Sequence, residues 1–254
     1  MSAAGPLLAG KRAVVTGAAT ESGIGFATAL LFAEHGAKVA LLDIDGAAVA
    51  ARARALGPGH HAFACDVAWR GACEQAVADA AHALGGLDIL VNVAGLVHGA
   101  PLMEITEAEY DTVLDVNLKG SFNMARAAAP LIRDAGGGAM VLMSSIASEN
   151  GGGVFGRSHY AAAKAGIFGR AKAPARELAT DGIRVNAVAP GPVDNDFTKG
   201  AMTREIKDRI AQGVPLGRLG RSDEIAGVCL FLASGLSSFV TGTGIDANGG
   251  LLIH

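Results

Sequence analysis

The chain has 254 residues, of which 50% are hydrophobic and 18% are charged, and its formal net charge is −3. Its apolar content excludes general disorder, and its length allows a sizeable buried core. The small negative charge leaves no basic surface of the kind that binds nucleic acid. We therefore expect a single folded domain, residues 1–254, without a nucleic-acid partner.

Cysteine usage and apolar runs exclude further classes. Cys65, Cys73 and Cys229 are odd in number and form no CxxC pair, so we expect reduced thiols and no metal site. The first ten residues lack the early positive charge and the long apolar stretch of a signal peptide. No apolar run approaches the roughly 20 residues that cross a bilayer. These features predict a cytoplasmic protein without a membrane partner.

Short apolar runs alternate with helical patterns along the whole chain. Runs this apolar are typical of strands covered on both faces, as in parallel sheets. The predicted strands are residues 13–16, 38–43, 62–65, 88–93, 139–144, 183–188 and 244–247. The predicted helices are residues 24–35, a long helix from 106 through 117 toward 129, 158–180, 203–212 and 222–232. The alternation predicts an α/β fold, a doubly wound (Rossmann) parallel sheet of about seven strands with helices on both faces.

The first predicted strand runs directly into a glycine-rich turn that precedes a helix. Residues 16–25 read Thr-Gly-Ala-Ala-Thr-Glu-Ser-Gly-Ile-Gly. Glycines allow a sharp turn and a close approach to a pyrophosphate, and the helix N-terminus supplies free N–H groups. A glycine-rich turn between a strand and a helix is the context expected of a dinucleotide site. We therefore expect the cofactor phosphates at Gly17, Ser22, Gly23, Ile24 and Gly25.

Polar residues stand at the ends of the next predicted strands. Asp43 ends the second strand, where a carboxylate can bind both adenosine ribose hydroxyls and repels a 2′-phosphate; the alternative is a solvated strand-end carboxylate. No Arg or Lys follows it within the next few positions, which favours NAD over NADP. Asp66 and Val67 could hold the adenine, and residues 92–95 could pass close to the ribose, because the carboxyl ends of parallel strands meet at one edge.

A tyrosine and a lysine stand four residues apart in a predicted helix, at Tyr160 and Lys164. This spacing places both side chains on one helix face. A phenol ionises near pH ~10, and a neighbouring ammonium lowers its pKa. A tuned Tyr160 could then exchange a proton with an alcohol or carbonyl oxygen. Taken alone, the pair would favour the simpler interpretation, a surface tyrosine beside a solvated lysine, because structural pairs are common; the rest of the chain reverses that preference.

Several short motifs follow one another in a specific order and spacing. They are the glycine-rich turn, residues 92–95, Asn117 in Val-Asn-Leu-Lys-Gly, Ser144-Ser145, Tyr160-xxx-Lys164, Pro190-Gly191 and the stretches 215–218 and 248–250. In this set the chain resembles the short-chain dehydrogenase/reductase family, over nearly its whole length. The branch it resembles holds 3-oxoacyl-carrier-protein reductases, hydroxysteroid dehydrogenases and sugar-alcohol dehydrogenases.

The resemblance implies a role for each residue of a catalytic set. Tyr160 would be the general acid/base, and Lys164 would lower its pKa and contact the nicotinamide ribose. Ser145 would hydrogen-bond the substrate oxygen, and Asn117 would hold a water that links Lys164 to solvent. The expected cofactor-binding residues are Gly17, Ser22, Gly23, Ile24, Gly25, Asp43, Ile44, Asp66, Val67, Asn92, Ala94, Gly95, Tyr160, Lys164, Pro190, Gly191, Val193 and Asn195.

The chain departs from the family pattern at two places near the expected cofactor. Five residues, not three, separate Gly17 from Gly23, so we expect the turn to bulge near residues 20–22. Asn195 occupies the position after Pro190-Gly191 where the family often has a carboxamide-binding Thr. An Asn side chain carries both a donor and an acceptor and could substitute for that Thr.

Together these expectations predict an NAD-dependent oxidoreductase that interconverts a small-molecule secondary alcohol and a ketone. Two alternatives stay open: an NADPH-dependent 3-oxoacyl-thioester reductase, and an NAD-binding module without turnover. Candidates for substrate contacts are His98, then Glu149, Asn150 and Arg157, and a lid at residues 194–213; the alternative for each polar side chain, and the more common one, is simple exposure to solvent. The resemblance also implies a homotetramer.

Overall fold

The computed structural model describes residues 5–153 and 155–253. The first four residues, on which part of the targeting prediction depends, lie outside that range. The strands are β1 (Arg12–Thr16), β2 (Lys38–Asp43), β3 (His61–Ala64), β4 (Ile89–Asn92), β5 (Gly138–Met143), β6 (Ile183–Pro190) and β7 (Gly244–Ala247). They form one parallel sheet in the order β3-β2-β1-β4-β5-β6-β7. This topology confirms the predicted fold class.

The connections between strands are mostly helical. The helices are α1 (Ile24–Glu34), α2 (Gly46–Leu56), α3 (Arg70–Leu84), α4 (Glu107–Leu114), α5 (Gly120–Asp134), α6 (Ala147–Asn150), α7 (Ser158–Glu177), α8 (Arg204–Gly213) and α9 (Ser222–Ala233). The sequence analysis did not anticipate α2 and α3. The sequence nevertheless carries one sign of where α2 begins. Asp45 is its N-cap residue, and its side chain accepts a hydrogen bond from the Ala48 N–H at 2.9 Å.

Alternate side chains of the central strands enter two hydrophobic clusters, one on each face of the sheet. In β1, Val14 belongs to one cluster, whereas Ala13 and Val15 belong to the other. The first cluster includes residues of α3, α5 and α7, and the second includes residues of α1, α2 and α9. Helices therefore cover both faces of the sheet.

The long helix predicted from residue 106 toward 129 is interrupted in the structure. A π-helical turn, Asp115–Lys119, separates α4 from α5. Such turns are rare inside helices and concentrate at functional sites. Asn117 lies at the centre of this turn and is fully buried. The prediction of one continuous helix was wrong, because the helical pattern does not reveal one extra residue in a turn.

No helix within the described ranges is both long enough and apolar enough to cross a bilayer.

Candidate active site

Tyr160 and Lys164 lie one turn apart on the buried face of α7, and their side chains are close together. The Lys164 Nζ atom is 5.6 Å from the centroid of the Tyr160 ring. It donates a hydrogen bond of 2.9 Å to the backbone oxygen of Met143, the last residue of β5. The Tyr160 hydroxyl hydrogen-bonds the side chain of Ser145, just beyond β5. The structure thus brings Ser145, Tyr160 and Lys164 to the carboxyl end of a central strand.

Burial dominates the ionisation of this pair. It raises the pKa of Tyr160 to about 12, against a smaller lowering by the hydrogen bond from Ser145. It also lowers the pKa of Lys164 to about 7. The causes that shift the pKa of Tyr160 here are its burial and Ser145; a lysine this deeply desolvated loses much of the charge that would stabilise a phenolate. The expected lowering of the Tyr160 pKa by Lys164 stays a prediction.

Ser144 and Ser145 have different surroundings, as residues on opposite faces of an extended chain should. The Ser144 hydroxyl is buried and donates to the backbone oxygen of Lys164 at 2.8 Å. The Ser145 hydroxyl accepts from the Ala147 N–H at 3.2 Å and also reaches Tyr160. Ser144 therefore ties β5 to α7, whereas Ser145 faces the phenol.

Asn117 is held rigidly by the π-helical turn. Its Nδ2 atom donates to the backbone oxygens of Leu96 and Val113, both at 2.9 Å. Its Oδ1 atom is buried and has no hydrogen-bond partner among the described residues. A Cβ atom built on Gly95 would lie 2.7 Å from this Oδ1 and 3.4 Å from the Lys164 Nζ. The free acceptor and the amine therefore border the same small space, which Gly95 leaves open.

The glycine-rich turn packs against the end of β4 at a distance that only glycine permits. Gly17 has φ +67°, and a Cβ atom there would lie 2.8 Å from the backbone nitrogen of Ala94. A Cβ on Gly25 would collide with the backbone oxygen of Gly17. No side chain caps α1, and its first turn holds no acidic residue. Its N–H groups are thus available to an anion.

Asp43 and Asn92 lie on either side of this turn. Asp43 Oδ2 accepts from the Ala19 N–H at 3.0 Å, and Ile44 beside it is 72% exposed. Asn92 is buried, and its Oδ1 accepts a 3.0 Å hydrogen bond from the Thr16 hydroxyl. Thr16 also accepts from the backbone at the end of β4. Asn92 therefore orients the Thr16 hydroxyl, which in turn holds the backbone just after β4. This role of Asn92 was not predicted from the sequence.

Asp66 and Val67 follow β3 on the side of the sheet that holds Asp43. Asp66 is exposed, and its Oδ1 accepts from the Ala68 N–H at 2.9 Å. Val67 is buried, and its backbone oxygen accepts from the Asn123 side chain at 2.9 Å. The loop is therefore fixed by one hydrogen bond within it and by one from the Asn123 side chain of α5.

The segment after β6 lies against the glycine-rich turn. Gly191 passes so close to Asn248 that a Cβ would lie 2.8 Å from its Cα. Val193 forms an isolated parallel bridge with Gly220. Pro190 ends β6, and the remaining expected residue, Asn195, lies beyond this bridge.

Both polar atoms of Asn195 are already engaged. Its Oδ1 accepts from the Phe197 N–H at 3.0 Å, and its Nδ2 donates to the Ser222 hydroxyl at 3.3 Å. The next residue, Asp196, accepts a 2.9 Å hydrogen bond from the Ser22 hydroxyl. Ser22 and Asn195, both expected to contact cofactor, thus join the bulged turn to the start of the expected lid.

The expected substrate residues lie in three places. His98 Nε2 is 3.2 Å from Glu109 Oε1, and the ring of His98 meets that of His159 edge-on at 5.6 Å. Asn150 ends α6, and Arg157 directly precedes α7.

Glu149 and the lid residue Asp194 complete the set. Glu149 lies in α6, and Asp194 forms a 2.6 Å ion pair with Lys207 of α8. In α8 itself no residue is buried.

His159 is a further residue that the sequence analysis passed over. It is buried next to Tyr160, and neither ring nitrogen has a partner among the residues described. In the sequence, only the position of His159 directly before Tyr160 could have indicated that it lies near the site.

The arrangement fits a dinucleotide. The uncapped α1 N-terminus and the glycine cradle suit a pyrophosphate, Asp43 suits a ribose, and the orphaned Asn117 Oδ1 beside Lys164 lies where a ribose or water would bind. In the described part of the chain, no three His, Cys, Asp or Glu side chains cluster as metal ligands would.

Comparison with known proteins agrees with this geometry. A family model described as enoyl-(acyl carrier protein) reductase matches residues 17–252. An uncharacterized short-chain type dehydrogenase/reductase of Sinorhizobium fredii is 46% identical over 98% of this chain and 100% of its own length. A 3-oxoacyl-[acyl-carrier-protein] reductase of Chlamydia muridarum is 40% identical over 96% of this chain and 98% of its own.

A solved structure shows the same relationship. A putative short-chain alcohol dehydrogenase from Sinorhizobium meliloti superposes with a TM-score of 0.89 at 39% identity, covering 96% of this chain and 97% of the other. The chain therefore belongs to the short-chain dehydrogenase/reductase family, an oxidoreductase family that uses a nicotinamide cofactor.

Proposed function

We propose that this protein transfers a hydride between NAD(H) and a secondary alcohol or ketone, with Tyr160 as the general acid/base. The observation that carries the proposal is the contact of the Tyr160 hydroxyl with Ser145, one helical turn from Lys164, beside the orphaned oxygen of Asn117. Such a constellation offers a proton donor and a neutral hydrogen-bond donor to one substrate oxygen.

In the reducing direction, the Tyr160 hydroxyl gives its proton to the carbonyl oxygen as that oxygen gains negative charge. Ser145 donates a hydrogen bond to the same oxygen and stabilises the developing alkoxide. A bound nicotinamide supplies the hydride that the substrate carbon receives. In the oxidising direction Tyr160 takes the proton back from the alcohol.

Lys164 and Asn117 set the state of Tyr160. A pKa of about 12 is too high for efficient proton exchange at neutral pH, so Tyr160 needs a positive charge close by during the reaction. Lys164, whose pKa of about 7 leaves it near half-protonated at neutral pH, can supply that charge by taking a proton. The free Asn117 Oδ1 would hold the water through which this proton arrives.

The remaining expected cofactor residues are proposed to act as their positions suggest. Gly17, Gly23, Gly25, Ser22 and Ile24 would surround the pyrophosphate. Asp43 would bind the adenosine ribose, with Ile44, Asp66 and Val67 along the adenine, and Asn92, Ala94 and Gly95 near the ribose rings. Pro190, Gly191, Val193 and Asn195 would border the nicotinamide. An NAD preference follows from the carboxylate of Asp43, which repels a 2′-phosphate.

The alternative substrate class is a 3-oxoacyl thioester reduced with NADPH. The 3-oxoacyl-carrier-protein reductase among the relatives, at 40% identity, supports it. Asp43 argues against it. The two candidates separate in one assay, a comparison of NADH with NADPH on a ketone panel that includes a 3-oxoacyl thioester.

The test of the catalytic proposal compares Tyr160→Phe with Tyr110→Phe, which changes the half-exposed second tyrosine of the chain. We expect Tyr160→Phe to lower kcat/KM by roughly 10²–10⁴-fold with NADH binding retained, and Tyr110→Phe to stay near wild type. Equal activity of both variants would refute the role of Tyr160. A folded protein that binds NADH yet turns over no member of the panel would favour a binding module.

The domain organisation and the assembly are proposals as well. Residues 1–254 would form one domain with residues 194–213 as a substrate lid, and the protein would assemble as a homotetramer, as the family resemblance implies. Light scattering at a range of protein concentrations tests the assembly, because a stable tetramer keeps one mass of four chains throughout.

A further inference from the structure

The bulged glycine-rich turn carries an ion pair that has no role in the proposed reaction. Glu21, at the tip of the turn, places its Oε2 atom 3.0 Å from Nη1 of Arg52. Arg52 lies in α2, the helix that begins just after Asp43. The pair therefore connects the phosphate-binding turn to the helix beside the expected adenosine ribose.

This pair lies close to Asp43. The Ala19 N–H donates to Asp43 Oδ2 at 3.0 Å, and Glu21 is only two residues further along the turn. Two residues of chain span at most about 7 Å. The carboxylates of Asp43 and Glu21, and the guanidinium of Arg52, thus border one region, where a nucleotide bound at Asp43 presents its 2′-oxygen.

Arg52 has hydrogen-bonding capacity to spare. A guanidinium offers five N–H donors, and the ion pair with Glu21 uses one nitrogen. The Arg52 Nε atom is buried without a hydrogen-bond partner among the residues described. The guanidinium lies over the Phe26 ring with its carbon 5.5 Å from the ring centroid. Arg52 is thus held at this edge, with its charge matched by one carboxylate.

A planar guanidinium is the side chain best suited to bind phosphate oxygens. In dinucleotide folds an arginine near the ribose accommodates a 2′-phosphate, whereas an acidic residue selects a free 2′-hydroxyl. Here both residue types are present, and the arginine is occupied. The Glu21 side chain is 76% exposed and that of Arg52 26%, so the pair adds little to fold stability. The effect of the pair is on which nucleotide binds, one with a 2′-phosphate or one with a free 2′-hydroxyl.

We propose that Glu21 is a second determinant of cofactor choice: it occupies Arg52 and so keeps this guanidinium from binding a 2′-phosphate. This inference rests on the proposed NAD site and deepens it. Asp43 repels the 2′-phosphate, and Glu21 removes the group that would attract it. Glu21 lies in the part of the turn that is two residues longer than the family pattern, and this part of the turn contacts Arg52.

The test measures binding of two nucleotide probes by calorimetry, without turnover. Adenosine 2′,5′-bisphosphate carries the 2′-phosphate, and 5′-AMP lacks it. We expect Glu21→Gln to tighten binding of the bisphosphate about tenfold, the size of one charge-assisted contact, with 5′-AMP unchanged within about twofold. The double variant with Arg52→Ala should lose this gain.

The matched control is Glu74→Gln, which breaks a comparable exposed pair, Arg70–Glu74 at 2.7 Å on α3. It should leave both affinities unchanged, and thermal unfolding should show that every variant is folded. Equal tightening of both probes in Glu21→Gln, or a gain that survives Arg52→Ala, overturns the inference. Weaker bisphosphate binding in the single variant Arg52→Ala also overturns it, because Arg52 would then already serve the phosphate.

The proposed function and the role of Glu21 can be refuted separately. A wild-type protein that binds neither 5′-AMP nor NADH refutes the proposed function, and the inference with it. A wild-type protein that binds NADH, with bisphosphate affinity indifferent to Glu21, refutes the inference alone.

Discussion

Replacing Lys164 with Met should remove a specific pH dependence from the stability of the cofactor-free protein. The pKa of Lys164 is about 7 in the folded chain, because the amine is buried, and returns to its ordinary 10.5 on unfolding. Between these values the unfolded chain binds one more proton than the folded chain at this site. The free energy of unfolding therefore rises with pH from about 7 to about 10, and this contribution is lost as pH falls through 7.

The magnitude follows from the same two values. The slope is at most about 1.36 kcal/mol per pH unit, and it flattens near pH 7, where the folded amine begins to take its proton. Between pH 7 and pH 9 the gain is roughly 2 kcal/mol. The raised pKa of Tyr160 acts with the opposite sign and only above pH ~10, where stability falls as the phenol of the unfolded chain ionises. Burial also raises the pKa of the Cys229 thiol to about 12, which lowers stability toward pH 9 in wild type and in Lys164→Met alike. The difference between these two proteins from pH 7 to 9 therefore isolates Lys164.

The assay is urea unfolding of the cofactor-free protein at pH 7 and pH 9, followed by circular dichroism. Wild type should gain roughly 2 kcal/mol more than Lys164→Met across this window. Met has a similar volume and no charge, so the variant should fold, with stability at pH 7 equal to wild type or higher. Lys172→Met, an exposed lysine of the same helix, should keep the wild-type difference. Parallel pH profiles for wild type and Lys164→Met would refute the reasoning.

Four further substitutions have distinct expected outcomes. Ser144→Ala should lower the free energy of unfolding by roughly 1 kcal/mol, since it breaks a buried hydrogen bond. Ser145→Ala should instead lower kcat with little change in stability. A loss of stability in Ser145→Ala together with a lower kcat in Ser144→Ala would contradict the roles given to the two serines. Gly25→Ala should destabilise by roughly 1–3 kcal/mol, because its methyl group meets backbone, and unchanged urea unfolding would count against that packing. Asp88→Asn should remove the part of the loss of stability on acidification that this carboxyl causes. Burial raises the pKa of Asp88, but the hydrogen bonds and the charge of Arg12 oppose burial and the pKa is lowered overall, so this contribution to stability is lost as pH falls. An unaltered acid-unfolding midpoint would refute this prediction.

The strands could be predicted because local pattern and fold agree. Each predicted strand was found with ends shifted by two residues or fewer, since apolar runs covered on both faces are distinctive. The different surroundings of Ser144 and Ser145 follow from the same alternation, since neighbouring residues of an extended chain point to opposite faces, whereas the choice of Ser145 for the substrate depended on the family resemblance. The helices α2 and α3 were not predicted.

Other features depend on contacts between distant residues. The π-helical turn at Asn117 requires one residue more than a regular helix, and nothing in the local pattern marks it. The ion pair of Glu21 with Arg52 joins residues that are 31 positions apart. The engagement of Asn195 with Ser222, which competes with its expected role toward a carboxamide, is a contact of the same kind.

The sequence by itself determined the order of strands and helices, the glycine-rich turn and the residue types available for proton transfer. Periodicity and spacing are properties of the chain alone. The tertiary structure decided the charge state of those residues, because desolvation depends on everything packed around a group. It also decided which neighbours occupy Arg52, Asn195 and Ser144, because a hydrogen bond between distant segments forms only once the sheet has brought them together.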